Sequence, residues 1–164
     1  MKGTIAQIAL LLVLCASSLA QTSPIAPGGP QEKPAKPSPT DVYQAVLRYQ
    51  VKTWELAADT YCVEVNGKDA DAALLEPFKA LHVKGASACH KKTTNRVLMR
   101  VVDRVTGKMS LIFDMGKIRW PKRSEAEVDG GYVCGSECMA GGTYHVAWDG
   151  SQWVVTKFEI RVQS

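Results

Sequence analysis

The sequence predicts an α+β domain: a curved antiparallel sheet of about five to six strands packed on one long N-terminal helix, with a second helix that is short and broken. Three observations predict it. Apolar residues recur at helical spacing between Asp41 and Asp59. From Asn95 onward the pattern changes to strand-like alternation. Glycine-containing turn signals then separate the apolar runs at intervals that leave room for short connections only. Consecutive strands joined by short turns pair antiparallel, and a sheet with one apolar face needs a cover, which the amphipathic first helix supplies.

The first helix opens at Asp41, an N-cap residue type, with Gln44 at the reciprocal capping-box position. Val42, Ala45, Val46 and Tyr49, beside Tyr43, Leu47, Val51 and Trp54, give it a broad apolar face ending near Asp59. Tyr61, Val63 and Val65 alternate with Cys62 and Glu64 as a short strand, closed by the turn signal Asn66-Gly67. Asp69 or Asp71 starts the second helix through Ala72, Leu74 and Leu75. Pro77 falls inside its apolar pattern and predicts a break or a new first turn, with Phe78 and Leu81 still pointing inward. Residues 85–90 read as a loop.

Residues 96–103 form the next predicted strand, and 103–108 its hairpin turn, with Gly107 left-handed. The return strand, 109–120, places Leu111, Phe113 and Met115 on one face. Gly116 predicts a bulge that shifts that face to Ile118 and Trp120. Residues 124–133 form a further strand. Residues 143–148 and 152–162 form a last hairpin over Asp149-Gly150. Its inward sets are Tyr144, Val146 and Trp148 on one strand, and Val154, Phe158, Ile160 and Val162 on the other.

The N-terminal part predicts export. Lys2 precedes an apolar run over residues 5–14, too short for a bilayer span of ~20 residues. Small residues at Ser18 and Ala20 then place signal-peptide cleavage after Ala20. Lipid anchoring through Cys15 is the less favoured alternative, because the preceding Leu14 is large for a lipoprotein site. Residues 21–40 hold six prolines and two glycines and little that could be buried, a composition that predicts a disordered linker. One α+β domain over residues 41–164 follows, with no transmembrane span in the mature chain, and the protein is expected to be secreted or periplasmic. The net charge of +4 is small. The densest basic stretches, Lys91-Lys92 with Arg96 and residues 117–123, lack the interleaved aromatics of a nucleic-acid surface, so no nucleic-acid partner is expected.

Cleavage leaves Cys62, Cys89, Cys134 and Cys138, an even number in an oxidising compartment, which points to disulfides. Of the three possible pairings, Cys62–Cys89 with Cys134–Cys138 is favoured, because Gly135 lets the 134–138 loop close tightly. Zinc is the competing use, since Cys134, Cys138, His145 and His90 are ligand types, but their spacing is not that of a finger and no metal or other cofactor is expected. Catalytic redox chemistry is disfavoured too. Three residues separate Cys134 from Cys138, and no helix pattern follows. Glu125, Glu127 and Asp129 alternate along one strand and read as an acidic outer face. Ser136 is not in a nucleophile elbow, and no phosphate-binding loop or metalloprotease motif is present, so no catalytic residue is assigned.

The Gly-rich segment from Gly130 to Gly142 is the most unusual stretch; it reads either as a plain structural connection or as a candidate stapled binding loop made by Tyr132, Gly135, Ser136, Glu137, Met139 and Tyr144. The C-terminal hairpin, Tyr144-x-Val146-x-Trp148-Asp149-Gly150-x-x-Trp153-Val154-Val155 behind a helix-first start, resembles the cystatin-like/NTF2-like group of folds. Tyr61-Cys62 and the cysteine loop at 134–138 are similar to uncharacterised secreted bacterial proteins of that layout. The resemblance covers residues 41–164 and implies a sheet wrapped on a helix. It carries over no catalytic residue, because NTF2-like enzymes bring two or three N-terminal helices to form their pocket, and this chain offers one good helix and a broken one. The expected function is an exported, non-enzymatic binding or interaction module for an envelope or extracellular protein or a small ligand. The alternative is a small NTF2-like enzyme or ligand carrier with a pocket between the first helix and the sheet.

Overall fold

The computed structural model describes residues 38–54, 58–94 and 98–164. The predicted signal peptide, Cys15, most of the linker, the last turn of the predicted first helix at 55–57 and Arg96 lie outside the described residues.

Helix α1 spans Pro39–Thr53 and begins two residues before the predicted start. Ser38 holds the extended cap conformation and Pro39 supplies the first helical residue, whose fixed φ already suits a helix. Asp41 therefore lies in the first turn rather than at the cap, where its charge still favours the helix dipole. Gln44 makes no capping bond and instead donates from Nε2 to the Ala73 carbonyl at 3.2 Å. The predicted face is the buried one: Val42, Val46 and Leu47 are fully inaccessible, and Ala45, Gln50 and Val51 nearly so.

Among the described residues nine strands follow, in chain order β1 Thr60–Val65, β2 Lys68–Asp69, β3 Val83–Gly85, β4 Cys89–Thr94, β5 Leu98–Asp103, β6 Ser110–Lys122, β7 Glu125–Gly135, β8 Cys138–Trp148 and β9 Trp153–Gln163. The short α2, Ala72–Leu75, passes into a 3-10 turn over Glu76–Leu81 with Pro77 at its start, as Pro77 predicts. Within it Phe78 is buried, whereas Leu81, predicted to point inward, is exposed. The sheet is mixed, not purely antiparallel. β1 runs parallel to β6, with Tyr61 opposite Leu111 and Val63 opposite Phe113, and parallel to β3 on its other side. The short-turn rule holds for the hairpins that join β6, β7, β8 and β9. It says nothing about β1, whose partner lies some fifty residues further along. Residues 85–90 are not a simple loop either, because a 3-10 turn over Ala86–Ala88 feeds directly into β4.

The long strands bend around α1, and glycine makes the bend possible. Gly130 pairs with Gly142 and Gly131 with Gly141 across β7 and β8. A methyl group added at Gly131 would sit 1.9 Å from the Ala140 carbonyl oxygen, and one at Gly142 would sit 2.0 Å from that of Glu159. Only a residue without Cβ lets these backbones bend so closely. The Gly-rich segment is thus the paired interior of two strands, not a loop, and only Ser136 and Glu137 form the turn between them. Gly116 marks the predicted bulge, with the register of β6 on β7 shifting between Met115 and Ile118. Two further shifts, at His145/Val146 and Gly141/Gly142, change the phase of β9. They bury Trp153 and stack Phe158 on Tyr144, while Ile160 and Val162, predicted to face inward, are 51% and 60% exposed.

On the helix side of the sheet Leu111, Phe113, Met115 and Val128 are fully buried beneath α1. On the opposite side, a smaller cluster of Cys62, Cys89 and Val101 with Ile112 and Val133 holds the β4–β5 hairpin against the sheet. Two disulfides staple the domain as expected. Cys62–Cys89 lies in this second cluster with Cα atoms 6.1 Å apart, and Cys134–Cys138 closes the β7–β8 turn with Cα atoms 5.3 Å apart.

Candidate functional site

The space between α1 and the sheet, where a ligand pocket was the competing expectation, is filled. Leu47, Phe113, Met115 and Tyr144 occupy it at 0% to 1% exposure. Gln50 is a buried polar node there, donating from Nε2 to the Gly131 carbonyl and to the Tyr144 hydroxyl, both at 3.1 Å. Burial pushes the Tyr144 phenol far above its ordinary value.

The six residues predicted to form one binding loop divide among three places. Tyr132 and Tyr144 point to the helix side and are buried, Tyr132 against Trp54 with ring centroids 4.0 Å apart. Gly135, Ser136 and Glu137 sit at the stapled turn. There Ser136 exchanges two hydrogen bonds with Met99, its hydroxyl accepting from the Met99 amide at 2.8 Å and its own amide donating to the Met99 carbonyl at 3.0 Å. Met139 alone reaches the outer face, where it is 40% exposed.

That outer face carries a groove of about 510 Å³. Its floor is the bare backbone around Gly131 and Gly141, where two facing strands present no side chain. Met99 of the β4–β5 hairpin, Ile112, Val133, Met139 and Val162 supply apolar walls. Glu64 of β1 and Asp114 of β6 enter it from directly opposite positions on parallel strands, and Lys91 of β4 lines it as well. The walls strip water from Asp114 and raise its carboxyl above the ordinary range, although one side stays open to solvent.

The carboxylates beside the groove behave differently. Asp129 is held by Arg119 and Arg161 and accepts from the Thr143 hydroxyl at 2.7 Å, which depresses its pKa to about 2. Glu127 pairs with Arg119 at 3.1 Å, Glu125 with Lys122 at 2.8 Å and Glu159 with Lys157 at 2.9 Å. His145 projects from the outer face, between Glu127 and Glu159 at 3.7 Å and 3.3 Å. The acidic strand is therefore neutralised by cations of neighbouring strands. Among the described residues, no group of three or more His, Cys, Asp or Glu side chains is gathered as a metal site.

A second depression, of about 390 Å³, lies beside the end of α1. Val51, Tyr61, Phe78 and Leu81 line it, with Arg48, Lys52 and His82 at its edge. His82 there adopts a left-handed conformation, φ 56°, at the end of the 3-10 turn. No described helix is long and apolar enough to cross a membrane.

No family model, curated protein or solved structure matches the chain.

The outer groove was missed because seven strands contribute to it, across separations as long as that from Glu64 to Val162. One local signal was available. The pairs Gly130-Gly131 and Gly141-Gly142, and Cys134 with Cys138, are symmetric about Ser136, as a hairpin centred there requires.

Proposed function

We propose that this protein is an exported, non-enzymatic binding module of the cystatin-like/NTF2-like fold group, and that it recognises its partner on the outer-face groove rather than at the stapled turn. One contrast carries the reading. The helix side of the sheet, where an enzyme of that group would hold substrate, is filled by Leu47, Phe113 and Tyr144, whereas the outer face keeps an open groove. Its walls include Met99 and Met139, whose flexible, polarisable side chains adapt to a partner surface. The two disulfides suit a small domain working in an oxidising compartment.

The test is a photo-cross-linking amino acid placed at position 139 in the exporting cell, with position 105, an 89% exposed turn residue away from the groove, as control. A discrete adduct from 139 and none from 105 is the expected result. Equal adducts from both positions, or none from 139, would count against the groove. A ligand carrier is the second reading, favoured by the apolar depression beside α1 with Arg48 and Lys52 at its edge, a combination suited to an amphipathic anion.

A further inference from the structure

The groove has an electrostatic asymmetry that its surroundings lack. Glu125, Glu127 and Asp129 each hold a cation from a neighbouring strand, and Glu159 holds Lys157 of its own strand. Glu64 and Asp114 hold none, and their carboxylates make no hydrogen bond among the described residues. They occupy directly paired positions on β1 and β6, within reach of a single bound group. Lys91 lines the same groove without pairing to either. Immediately beside them the walls turn apolar through Ile112, Val133, Met139 and the exposed Val162.

We propose that the groove takes a polypeptide segment of a partner protein, seating one lysine or arginine side chain between Glu64 and Asp114 and laying the flanking apolar side chains against Met139, Val133 and Val162. This rests on the reading of the groove as the recognition surface. An ammonium or guanidinium group placed between the two carboxylates would form charge-assisted hydrogen bonds with both. Glycine backbone on the floor lets the bound segment approach closely. The walls' effect on Asp114 fits the same assignment. Partial burial raises its carboxyl, and a bound cation would favour its ionised form.

The test uses the full chain, labelled with nitrogen-15 and titrated with the blocked tripeptide acetyl-Leu-Lys-Leu-amide, its glutamine counterpart and hexylamine. The expected result is saturable amide shifts at Gly131, Gly141 and Val162 with the lysine peptide. Binding of the glutamine peptide and of hexylamine should be weaker by at least about tenfold. The double variant Glu64→Gln with Asp114→Asn should lose the preference for lysine while unfolding no more easily than the parent, because neither carboxylate has a bond among the described residues to lose. A merely structural role for the pair would lower the unfolding midpoint instead. Equal binding of the lysine and glutamine peptides, or shifts confined to other residues, overturns the proposal. Hexylamine binding as tightly as the peptide overturns it in favour of a free alkylamine. A specific adduct at position 139 without lysine preference would sink this inference alone, whereas no adduct at 139 would sink the groove reading beneath it.

Discussion

Replacing Gly131 by alanine should be among the most damaging single-methyl changes available in this domain. The new Cβ would lie 1.9 Å from the Ala140 carbonyl oxygen and 2.8 Å from both the Ala140 carbonyl carbon and the Gly141 Cα. All three are backbone atoms of the neighbouring strand, so no side chain can rotate away. Relief requires β7 and β8 to separate by more than 1 Å, on the order of the gap between this approach and an ordinary contact, which breaks ladder bonds where the sheet bends. Overpacking of well-packed sites costs about 1–3 kcal/mol, and this site has less room to yield, so a loss above ~3 kcal/mol is expected. Against a typical stability of 5–15 kcal/mol for a small domain, that is a large fraction of the total. Gly116→Ala is the internal control. Its Cβ would meet the Asp129 carbonyl oxygen at 3.1 Å, which a shift of a few tenths of an ångström relieves, so its cost should stay below about 1 kcal/mol. Urea unfolding followed by tryptophan fluorescence reads both, and Gly131→Ala should lower the midpoint by more than ~1 M. If Gly131→Ala unfolds within about 0.5 kcal/mol of the parent, or if both variants lose equally, the bend does not depend on close backbone approach, and the reasoning fails.

Three further expectations follow from the same geometry. Mild reduction of the native protein followed by alkylation should label Cys134 and Cys138 first, because Cys62 and Cys89 are 0% and 3% exposed, and mass mapping of the labelled peptides checks the order. Full loss of Cys62–Cys89, which closes a separation of 27 residues, should then cost about 3–4 kcal/mol in the chain-entropy description. Asp103 is buried and held well below the carboxylate range, first by Lys84 and then by the amides of Thr106 and Val105. A depressed carboxyl stabilises the fold above its unfolded value near 4, and that contribution drains away as pH falls below it, so Asp103→Asn should flatten the acid limb of stability against pH. Gln50→Met removes the donor to the buried Gly131 carbonyl and Tyr144 hydroxyl, so it should lower stability by about 1–3 kcal/mol as read by thermal unfolding, toward the low end because it also removes an Oε1 that has no partner among the described residues.

What the sequence revealed was what short-range chemistry decides. Asn66-Gly67, Gly107 and Asp149-Gly150 were legible as turns because each needs a positive φ, and Asn66, Gly67, Gly107 and Gly150 adopt one. The buried face of α1 was legible from its spacing, and the tight 134–138 pairing from the glycine between the cysteines. β4 was not, because Cys89-His90-Lys91-Lys92-Thr93-Thr94 offers a single apolar residue, and its cross-strand partners on β5 and its disulfide supply what its own side chains lack. The parallel pairing of β1 with β6 has no local signature at all. The Gly-rich strands were misread for a different reason. Glycine marks loops by its freedom, yet here it is used for its lack of a side chain, at Gly131 and Gly142 where neighbouring backbones nearly touch. The same reading of glycine placed the candidate site at the turn, and of its six residues only Met139 lines the outer groove without being buried beneath α1 or placed at the turn.

The most direct test of the groove as a recognition surface is methionine footprinting of the protein with dilute peroxide, with and without an extract of the compartment proposed for it. Met139 is 40% and Met109 51% exposed, whereas Met115 is fully buried, so one side chain reports on the groove, one on a surface outside it and one on global unfolding. The expected result is slowed oxidation of Met139 in the extract while Met109 reacts at an unchanged rate and Met115 stays inert. Equal slowing at Met109, or no slowing at Met139, would contradict the groove as the binding surface.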